Sequence, residues 1–426
     1  MLGGTVAVVG GSIAGCAFAA AAARGGARRV VVLERSYGEL TDRGVGLCVH
    51  DDRYAELAAA GHLDDGIAWH RLTRRHWLAA DGSPLGRLLW DQPFPFRSYH
   101  WGLLWRGLRE RTPATVEHRL GDPVAGVRST SGSAGDPAGA VVRLVSGGEE
   151  HFDLVVGADG YRSVVRTAVC PEARPGYAGY VCWRGSFPAE RLAALDHLAG
   201  PADRAWPAEH AATVCFPGGQ CVLYRIPGQE PGRPMVNWVF YAPPPAAGLR
   251  LEDPTSIPPG AATEELTAHV ALLAERHLPP YWASLIALTP PERTFLQPIY
   301  DLDTPRRTSG RLLLAGDAAT VVRPHNTSGA AKAIQDAVAF EDAWRRSASW
   351  EDLLATYERE RGEAGRALVT LGRRLGRAQV EQAPDWTTMD PARTAAWWDE
   401  QLAGTAGFGG HAFRSPVVPV AGRPAS

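Results

Sequence analysis

A glycine-rich stretch near the start of the chain has the residue types that bind a phosphate. Residues 10–15 read GGSIAG, which matches the GxGxxG fingerprint of dinucleotide-binding domains except that Ser12 replaces the second glycine. Gly10 and Gly15 keep the tight turn and the close helix packing, and the Ser12 hydroxyl can itself donate to a phosphate. The amino end of the following helix adds a partial positive charge. This stretch predicts a site for the pyrophosphate of a dinucleotide.

An acidic residue stands where the ribose of such a dinucleotide binds. Glu34 follows Gly15 by 19 residues and closes the apolar run Arg29–Leu33. A carboxylate at the end of the second strand accepts hydrogen bonds from ribose hydroxyls. Strand, glycine turn, helix, strand and acid in this order predict adenine-dinucleotide binding. A glycine turn that serves packing alone is the competing interpretation.

Two later turns each present a carboxylate after an apolar strand. Asp159 lies in GADGYRS (157–163), and Asp317 follows the run Arg311–Ala315. The position of Asp317 suits a hydrogen bond to a ribityl hydroxyl. Gly329 begins the next helix, whose first backbone N–H groups are expected to face the electron-rich edge of a ring of the bound dinucleotide.

The elements that position these turns indicate an α/β fold. A βαβ unit is predicted from a strand at 5–10, a helix at 13–24 and a strand at 29–33, with 42–49 as a loop. Several short strand-like runs after residue 171 predict one antiparallel sheet. They are 179–187, 213–216, 220–226 and 236–241. Helices are expected at 350–379 and 391–402, followed by a disordered tail from residue 403.

The predicted architecture is a Rossmann-like domain with an inserted, mostly antiparallel β-sheet substrate domain and C-terminal helices. The expected dinucleotide-binding domain is discontinuous and comprises 1–75, 98–170 and 295–380. The substrate domain comprises 76–97 and 171–294, and 381–426 hold the C-terminal helix and tail.

Composition excludes several other classes. The net charge is −2 and no basic block is present, which argues against nucleic-acid binding. Glycines interrupt the apolar start of the chain, no basic segment precedes it, and no apolar run is long enough to span a membrane. The six cysteines form no CxxC pair and lack zinc-like spacing, so we expect free thiols, no metal and a cytoplasmic location.

Together the three motifs resemble the FAD-dependent aromatic hydroxylases of the para-hydroxybenzoate hydroxylase type. The resemblance extends from the first strand to about Asp336 and includes Arg106, which matches the family's flavin-contacting arginine. The strings YAGYVCWRG (177–185), YRIPG (224–228) and RPHNTSGAAKA (323–333) resemble the dihydroxypyridine hydroxylase branch most closely. Thr320 stands where the wider family usually has histidine.

The resemblance implies FAD as cofactor and NADH or NADPH as a transient reductant. A flavin hydroperoxide would then transfer oxygen from O2 to a small aromatic or N-heteroaromatic substrate activated by a hydroxyl or amino group. The residues expected to bind FAD are Gly10, Ser12, Ile13, Ala14, Gly15, Glu34, Arg35, Gly46, Arg106, Asp159, Gly316, Asp317, Pro324, Ser328, Gly329 and Ala330.

The substrate site is expected beside the flavin ring, on the antiparallel sheet. His325 lies in the predicted flavin loop, and Arg184 and Tyr224 join it as candidate catalytic residues. Strand alternation gives Tyr180, Cys182 and Arg184 one face. The candidate substrate-binding residues are His50, Tyr180, Cys182, Arg225, Trp238 and Tyr241. Core packing is the competing interpretation of Trp238 and Tyr241, and a structural charge that of Arg184 and Arg225.

Other functions remain compatible with the same dinucleotide motif. Flavin epoxidases, natural-product tailoring oxidases, reductases and halogenases share the domain, although a halogenase motif and a lysine in the middle region are missing. A non-catalytic FAD-binding protein is a further alternative, which the aromatic-rich insert argues against. The expected partners are substrate and O2, in a monomer or homodimer.

Overall fold

The computed structural model describes residues 3–38, 40, 46–132, 138–199, 206–245, 263–405 and 407–410. The elements up to the middle of the chain are β1 (Thr5–Val9), α1 (Ile13–Gly25), β2 (Arg29–Glu34), β3 (Gly46–His50), α2 (Asp51–Ala59), β4 (His70–Ala79), β5 (Arg87–His100), α3 (Trp101–Glu110), β6 (Val116–Leu120), β7 (Val124–Thr130), β8 (Gly139–Leu144), β9 (Glu149–Phe152), β10 (Leu154–Gly157) and α4 (Val164–Val169).

The remaining elements are β11 (Gly176–Pro188), α5 (Asp196–Ala199), β12 (His210–Phe216), β13 (Gly219–Ile226), β14 (Met235–Ala242), α6 (Glu264–His277), α7 (Pro280–Ala287), β15 (Thr294–Asp303), β16 (Thr308–Ser309), β17 (Leu312–Leu314), β18 (Thr320–Val321), α8 (Gly329–Arg346), α9 (Trp350–Gly376) and α10 (Pro391–Leu402).

A six-stranded sheet carries the dinucleotide motif. Its strand order is β16-β17-β10-β1-β2-β6, and the pairs among β17, β10, β1, β2 and β6 are parallel. Both faces are buried, which explains why β1, β2 and β17 are continuous apolar runs. The predicted βαβ unit is confirmed, and residues from the two ends of the chain meet in one sheet.

A nine-stranded, mostly antiparallel sheet forms the second layer. Its order is β18-β15-β11-β14-β13-β12-β4-β5-β3, with a parallel pair between β12 and β4. One face packs against α6 and α7 in a large apolar cluster that includes Trp183 and Phe240. The opposite face packs in part against α9 and α10. Successive side chains of each strand alternate between these two environments.

The sequence expectations differ from the structure in several segments. Residues 46–49, expected as loop, form most of β3, which pairs with β5. β3 and the first half of β4 join the nine-stranded sheet although they precede residue 76, and β15 joins it although all of it except Thr294 lies beyond residue 294. The long helix ends at Gly376 and continues as a π-helical turn, Arg377–Glu381. The domain division by sequence therefore stays a prediction.

Part of the expected disordered tail is packed against the protein. Phe408 is buried among Phe94, Phe96 and Trp398, with ring centroids 5.2–6.0 Å apart. Aromatic burial stabilises this segment despite its glycines. The expectation of disorder is thus wrong for residues 407–410, while 411–426 lie outside the described residues.

Candidate active site

One large cavity of about 790 Å³ lies between the two sheets. One end is formed by the glycine turn, the end of β2 and the amino end of α8. The other end is walled by the face of the nine-stranded sheet that points away from α6 and α7. A continuous space thus joins a dinucleotide cradle to a sheet surface.

The glycine turn has a shape that larger residues would destroy. Gly10 has φ +99°, and a Cβ there would lie 2.5 Å from the Ala158 carbonyl oxygen. A Cβ on Gly15 would lie 1.8 Å from the carbonyl oxygen of Gly10. Helix α1 begins at Ile13 with no side-chain cap and no acidic residue in its first turn. Its terminal N–H groups and positive dipole end therefore suit a pyrophosphate.

Glu34 is fixed at the cavity wall by two backbone groups. Its Oε2 accepts from the Gly11 N–H at 2.8 Å, and Oε1 accepts from the Ser36 N–H at 2.9 Å. Two bonds leave lone pairs on this buried carboxylate for further donors. This geometry fits a ribose diol.

The two later carboxylates have different surroundings. Asp159 accepts from the Ser163 hydroxyl at 2.6 Å and from the Val164 N–H at 2.7 Å, so it also holds the start of α4. Asp317 lines the cavity and has no hydrogen-bond partner among the described residues. Desolvation at the cavity wall raises the pKa of both carboxyls, and Lys332 opposes that rise at Asp317. An unbonded carboxylate facing a cavity fits a ribityl hydroxyl.

The amino end of α8 faces the cavity in the same manner as that of α1. Ser328 precedes the helix without capping it, because its hydroxyl donates to the Asn326 carbonyl at 2.9 Å. Thr327 takes a left-handed conformation, φ +52°, which turns the chain into the helix. The first N–H groups of α8 are available to an electron-rich ring edge.

Most of the residues expected to hold the cofactor line this cavity. They are Gly10, Ser12, Ile13, Ala14, Glu34, Arg35, Gly46, Asp159, Asp317, Pro324, Ser328, Gly329 and Ala330. Gly15 and Gly316 shape the adjoining turns without lining it, and Gly316 has φ +57°. Arg106 lies on α3 and is not among the lining residues.

Four of the expected catalytic and substrate residues converge at the sheet end. Arg184, Tyr224, Tyr241 and His325 all line the cavity. The β13–β14 register places Tyr224 opposite Asn237, whose Oδ1 accepts from the Gly46 N–H at 2.9 Å. This contact connects the start of β3 with the sheet.

His325 is a buried imidazole in a polar chain. Its Nε2 is 2.8 Å from the Tyr180 hydroxyl, its Nδ1 is 3.3 Å from Nε2 of Gln220, and its ring centroid is 4.2 Å from that of Tyr241. Burial, with Arg323 and Arg75 nearby, lowers the pKa of His325 to about 3. The ring is therefore neutral at pH 7 and can donate at one nitrogen while accepting at the other.

Three expected substrate residues lie behind or beside the cavity. The Tyr180 hydroxyl bonds to Nε2 of His325. Cys182 is fully buried in the same apolar cluster as Tyr180. His50 caps α2, with its Nδ1 accepting from the Asp52 N–H at 3.1 Å, and packs edge-to-face on Phe96. None of them is a lining residue.

Arg225 and Trp238 are on the wrong face of the sheet for substrate contact. Arg225 follows Tyr224 directly, so alternation turns it away, and it donates to the Pro207 carbonyl at 2.9 Å. Trp238 is three residues from Tyr241 and therefore also points away; it is fully buried and donates to Thr289 Oγ1 at 2.7 Å. The competing interpretation, core packing, holds for Trp238.

Sequence reasoning missed several residues of the cavity wall. The missed lining residues with polar or aromatic side chains include Arg75, Phe94, Gln220, Gln297 and Phe408. Gln220 was detectable, because it shares the alternation of Tyr224 on β13. No local sequence pattern predicts how the segments that contain Arg75 and Phe408 pair or pack, so these two residues could not be found from the sequence.

Comparison with known proteins agrees with this geometry. A model described as "FAD binding domain" matches residues 295–371, and one described as "FAD binding domain-like" matches 177–301. The 2,6-dihydroxypyridine 3-monooxygenase of Paenarthrobacter nicotinovorans is 27% identical over 85% of this chain and 88% of its own. The phenazine 1,6-dicarboxylic acid hydroxylase of Lysobacter antibioticus is 29% identical over 92% and 94%.

A solved structure shows the same fold. The 2,6-dihydroxypyridine-3-hydroxylase from Arthrobacter nicotinovorans aligns with a TM-score of 0.75 at 24% identity, over 91% of this chain and 96% of that one. Fold, cradle and sequence matches define a flavoprotein that binds FAD. Its relatives are FAD-dependent aromatic hydroxylases, and the chain is an FAD-dependent monooxygenase. Among the described residues, no helix combines the length and apolar character needed to cross a bilayer.

Proposed function

We propose that this monooxygenase hydroxylates a small, hydroxylated nitrogen heteroaromatic ring, using NADH or NADPH and O2. The observation that carries the proposal is the unbroken cavity from the dinucleotide cradle to a sheet surface lined by Tyr224, Tyr241 and His325. Its size suits an aromatic ring beside a cofactor. The two relatives described above act, by their names, on a pyridine and a phenazine.

In this proposal the cradle residues hold FAD as their geometry suggests. The α1 and α8 amino ends face the pyrophosphate and the ring, Glu34 takes the adenosine ribose, and Asp317 takes the ribityl chain. Bound FAD supplies the reduction of dioxygen that ring hydroxylation requires. The protein's own contribution is to orient the substrate and exclude water.

His325, Tyr224 and Arg184 are the proposed catalytic residues. A neutral His325 can accept a hydrogen bond from a ring hydroxyl at Nδ1, in place of the long 3.3 Å contact with Gln220, while Tyr180 holds Nε2. Burial holds the pKa of the Tyr224 hydroxyl well above its ordinary value. The hydroxyl is therefore neutral and can donate a hydrogen bond. Arg184 supplies positive charge near the ring.

The test is substrate-stimulated NAD(P)H oxidation by the FAD-loaded protein across a library of hydroxylated pyridines, quinolines and phenols, with product mass under ¹⁸O2. One ¹⁸O atom in a ring hydroxyl is the expected result. His325→Ala should lower turnover at least about tenfold, whereas His269→Ala, on the α6 side of the sheet, should not. Stimulated oxidation without oxygen transfer to any ring would refute the proposal.

A cytoplasmic location and a monomeric or homodimeric state complete the proposal. All six cysteines are free and buried, which suits a reducing compartment. Size-exclusion chromatography with light scattering measures the oligomeric state, and a stable tetramer would contradict it.

A further inference from the structure

Arg75 is a buried cation at the substrate end of the cavity. It lies on β4 with 4% of its surface exposed and lines the cavity. Its Nε donates to Thr213 Oγ1 at 2.7 Å, which fixes the plane of the guanidinium. Its Cζ lies 4.1 Å from the ring centroid of Trp77, 5.4 Å from that of Trp398 and 5.5 Å from that of Phe408. We call these three aromatic residues the Arg75 box.

The substrate end of the cavity has positive charge without a matching carboxylate. Arg75 and Arg184 both line it, and neither forms an ion pair within the described part of the chain. The acidic lining residues are Glu34, Asp159 and Asp317, which all belong to the cofactor end. Arg184 Nε is buried and has no hydrogen-bond partner among the residues that the structure describes.

Both arginines are charged under working conditions. Burial lowers the pKa of Arg75 to about 10, which still leaves the guanidinium protonated at pH 7. Burial acts to lower the pKa of Arg184, but the pKa stays above its ordinary value, so this guanidinium is also protonated. A buried charge is costly unless a counter-charge meets it, and ring contacts offset only part of that cost. Within the described residues no carboxylate meets these two charges, so a bound anion would supply the counter-charge.

We propose that Arg75, oriented by Thr213 and the Arg75 box, recognises a carboxylate on the ring of the substrate. The two terminal guanidinium nitrogens form a planar fork that matches a carboxylate. This inference rests on the proposed hydroxylation of a heteroaromatic ring and specifies one substituent of that ring. Arg184 adds positive charge from the neighbouring part of the sheet.

The test compares two probes of nearly the same shape, 6-hydroxynicotinate, which carries a carboxylate, and 6-hydroxynicotinamide, which carries a neutral carboxamide. Binding to the FAD-loaded protein is followed by the change in flavin absorbance, which needs no turnover. The wild-type protein should bind the carboxylate about 10- to 100-fold more tightly than the carboxamide. Arg75→Met should abolish this preference, and Arg75→Lys, which keeps the charge but loses the fork, should retain part of it.

Arg97→Met is the matched control. Arg97 also stacks on aromatic rings, 3.4 Å from the Tyr54 centroid and 4.0 Å from that of Trp69, but it pairs with Asp65 and does not line the cavity. Its substitution should leave the preference unchanged. Flavin content verifies that each variant is folded, and if Arg75→Met does not fold, the wild-type preference and Arg75→Lys decide.

Three results would overturn the assignment. The first is equal wild-type affinity for both probes, or no binding of either. The second is a preference that survives Arg75→Met. The third is an equal loss of 2-hydroxypyridine binding in Arg75→Met, which would mean that Arg75 serves a ring oxygen. Turnover of neutral rings alone would leave the hydroxylase proposal standing, whereas absence of any hydroxylated product would reject that proposal independently.

Discussion

Two buried histidines make the stability of the fold depend on pH. His325 lies at the cavity wall, and His62 contacts Arg24, whose nitrogen is 2.6 Å from Nε2. Burial, together with the neighbouring arginines, lowers the pKa of each imidazole to about 3. Both rings are therefore neutral in the folded protein across the physiological range.

The protein should lose stability in acid through these two residues. An unfolded histidine binds a proton near pH 6.5, while the folded one does so only near pH 3, so the unfolded state gains protons first as the pH falls. Each residue should reduce the free energy of unfolding by about 1.4 kcal/mol per pH unit between about pH 6 and pH 4. Urea titrations at several pH values measure the free energy of unfolding. In His325→Gln this free energy should fall less steeply with pH, by about 1.4 kcal/mol per pH unit.

His151→Gln, which removes an exposed imidazole from β9, is the control and should keep the wild-type slope. If His325→Gln lost stability with pH as steeply as the wild type, His325 would not be buried as a neutral ring.

At the scale of elements, the glycine turn ties β1, α1 and β10 together. Gly15 lets α1 pass directly over the Gly10 carbonyl, and Gly10 itself passes close to Ala158 after β10. The opposing atoms are backbone atoms, so they cannot rotate away as a flexible side chain does. The sequence motif therefore reports packing between elements as well as phosphate binding.

Gly15→Ala should destabilise the protein by about 3 kcal/mol and prevent FAD binding, because the new methyl group overlaps a backbone oxygen. Gly148→Ala is the control: it lies between β8 and β9, and a Cβ there meets nothing within 4 Å. Its stability should change by less than about 0.5 kcal/mol. Urea unfolding and flavin content measure both effects, and a Gly15→Ala protein with full flavin content would contradict the packing argument.

The C-terminal helix α10 could be predicted from local signals, whereas the segment that follows it could not. Helix α10 was predicted with the bounds that the structure gives, because proline at its first turn and an amphipathic pattern are local signals. The burial of Phe408 beyond it was missed, because a glycine-rich segment is ordered here only through distant aromatic partners. The strand β3 was missed for the same reason, since its partner β5 lies far along the chain.

At the scale of the whole molecule, the cavity lies where the two sheets meet, and residues of both sheets line it. Residues of β2, the glycine turn and α8 face residues of β4, β13 and β14 across it. A ligand that fills the cofactor end adds contacts only to the folded protein. Binding should therefore stabilise the molecule as a unit.

FAD added to the apoprotein at a hundredfold excess over its dissociation constant should raise the free energy of unfolding by about 2.7 kcal/mol. Riboflavin, which lacks the pyrophosphate and adenosine, should give a much smaller change, because Glu34 and the amino end of α1 have nothing to bind. Thermal unfolding with each ligand makes the comparison. Equal stabilisation by both would show that the dinucleotide cradle is not used.

The sequence alone determined the dinucleotide cradle and the two-part architecture, because each depends on contiguous residues: a glycine turn, a strand with its terminal acid, and helix starts at fixed offsets. Alternation along a strand likewise fixes that Tyr224 and Arg225 point apart, although it does not say which of them faces the cavity. That choice required the tertiary structure, since it depends on which face of the sheet α6 and α7 cover. The same holds for Arg75 and Phe408, whose proximity follows from packing between segments at opposite ends of the chain.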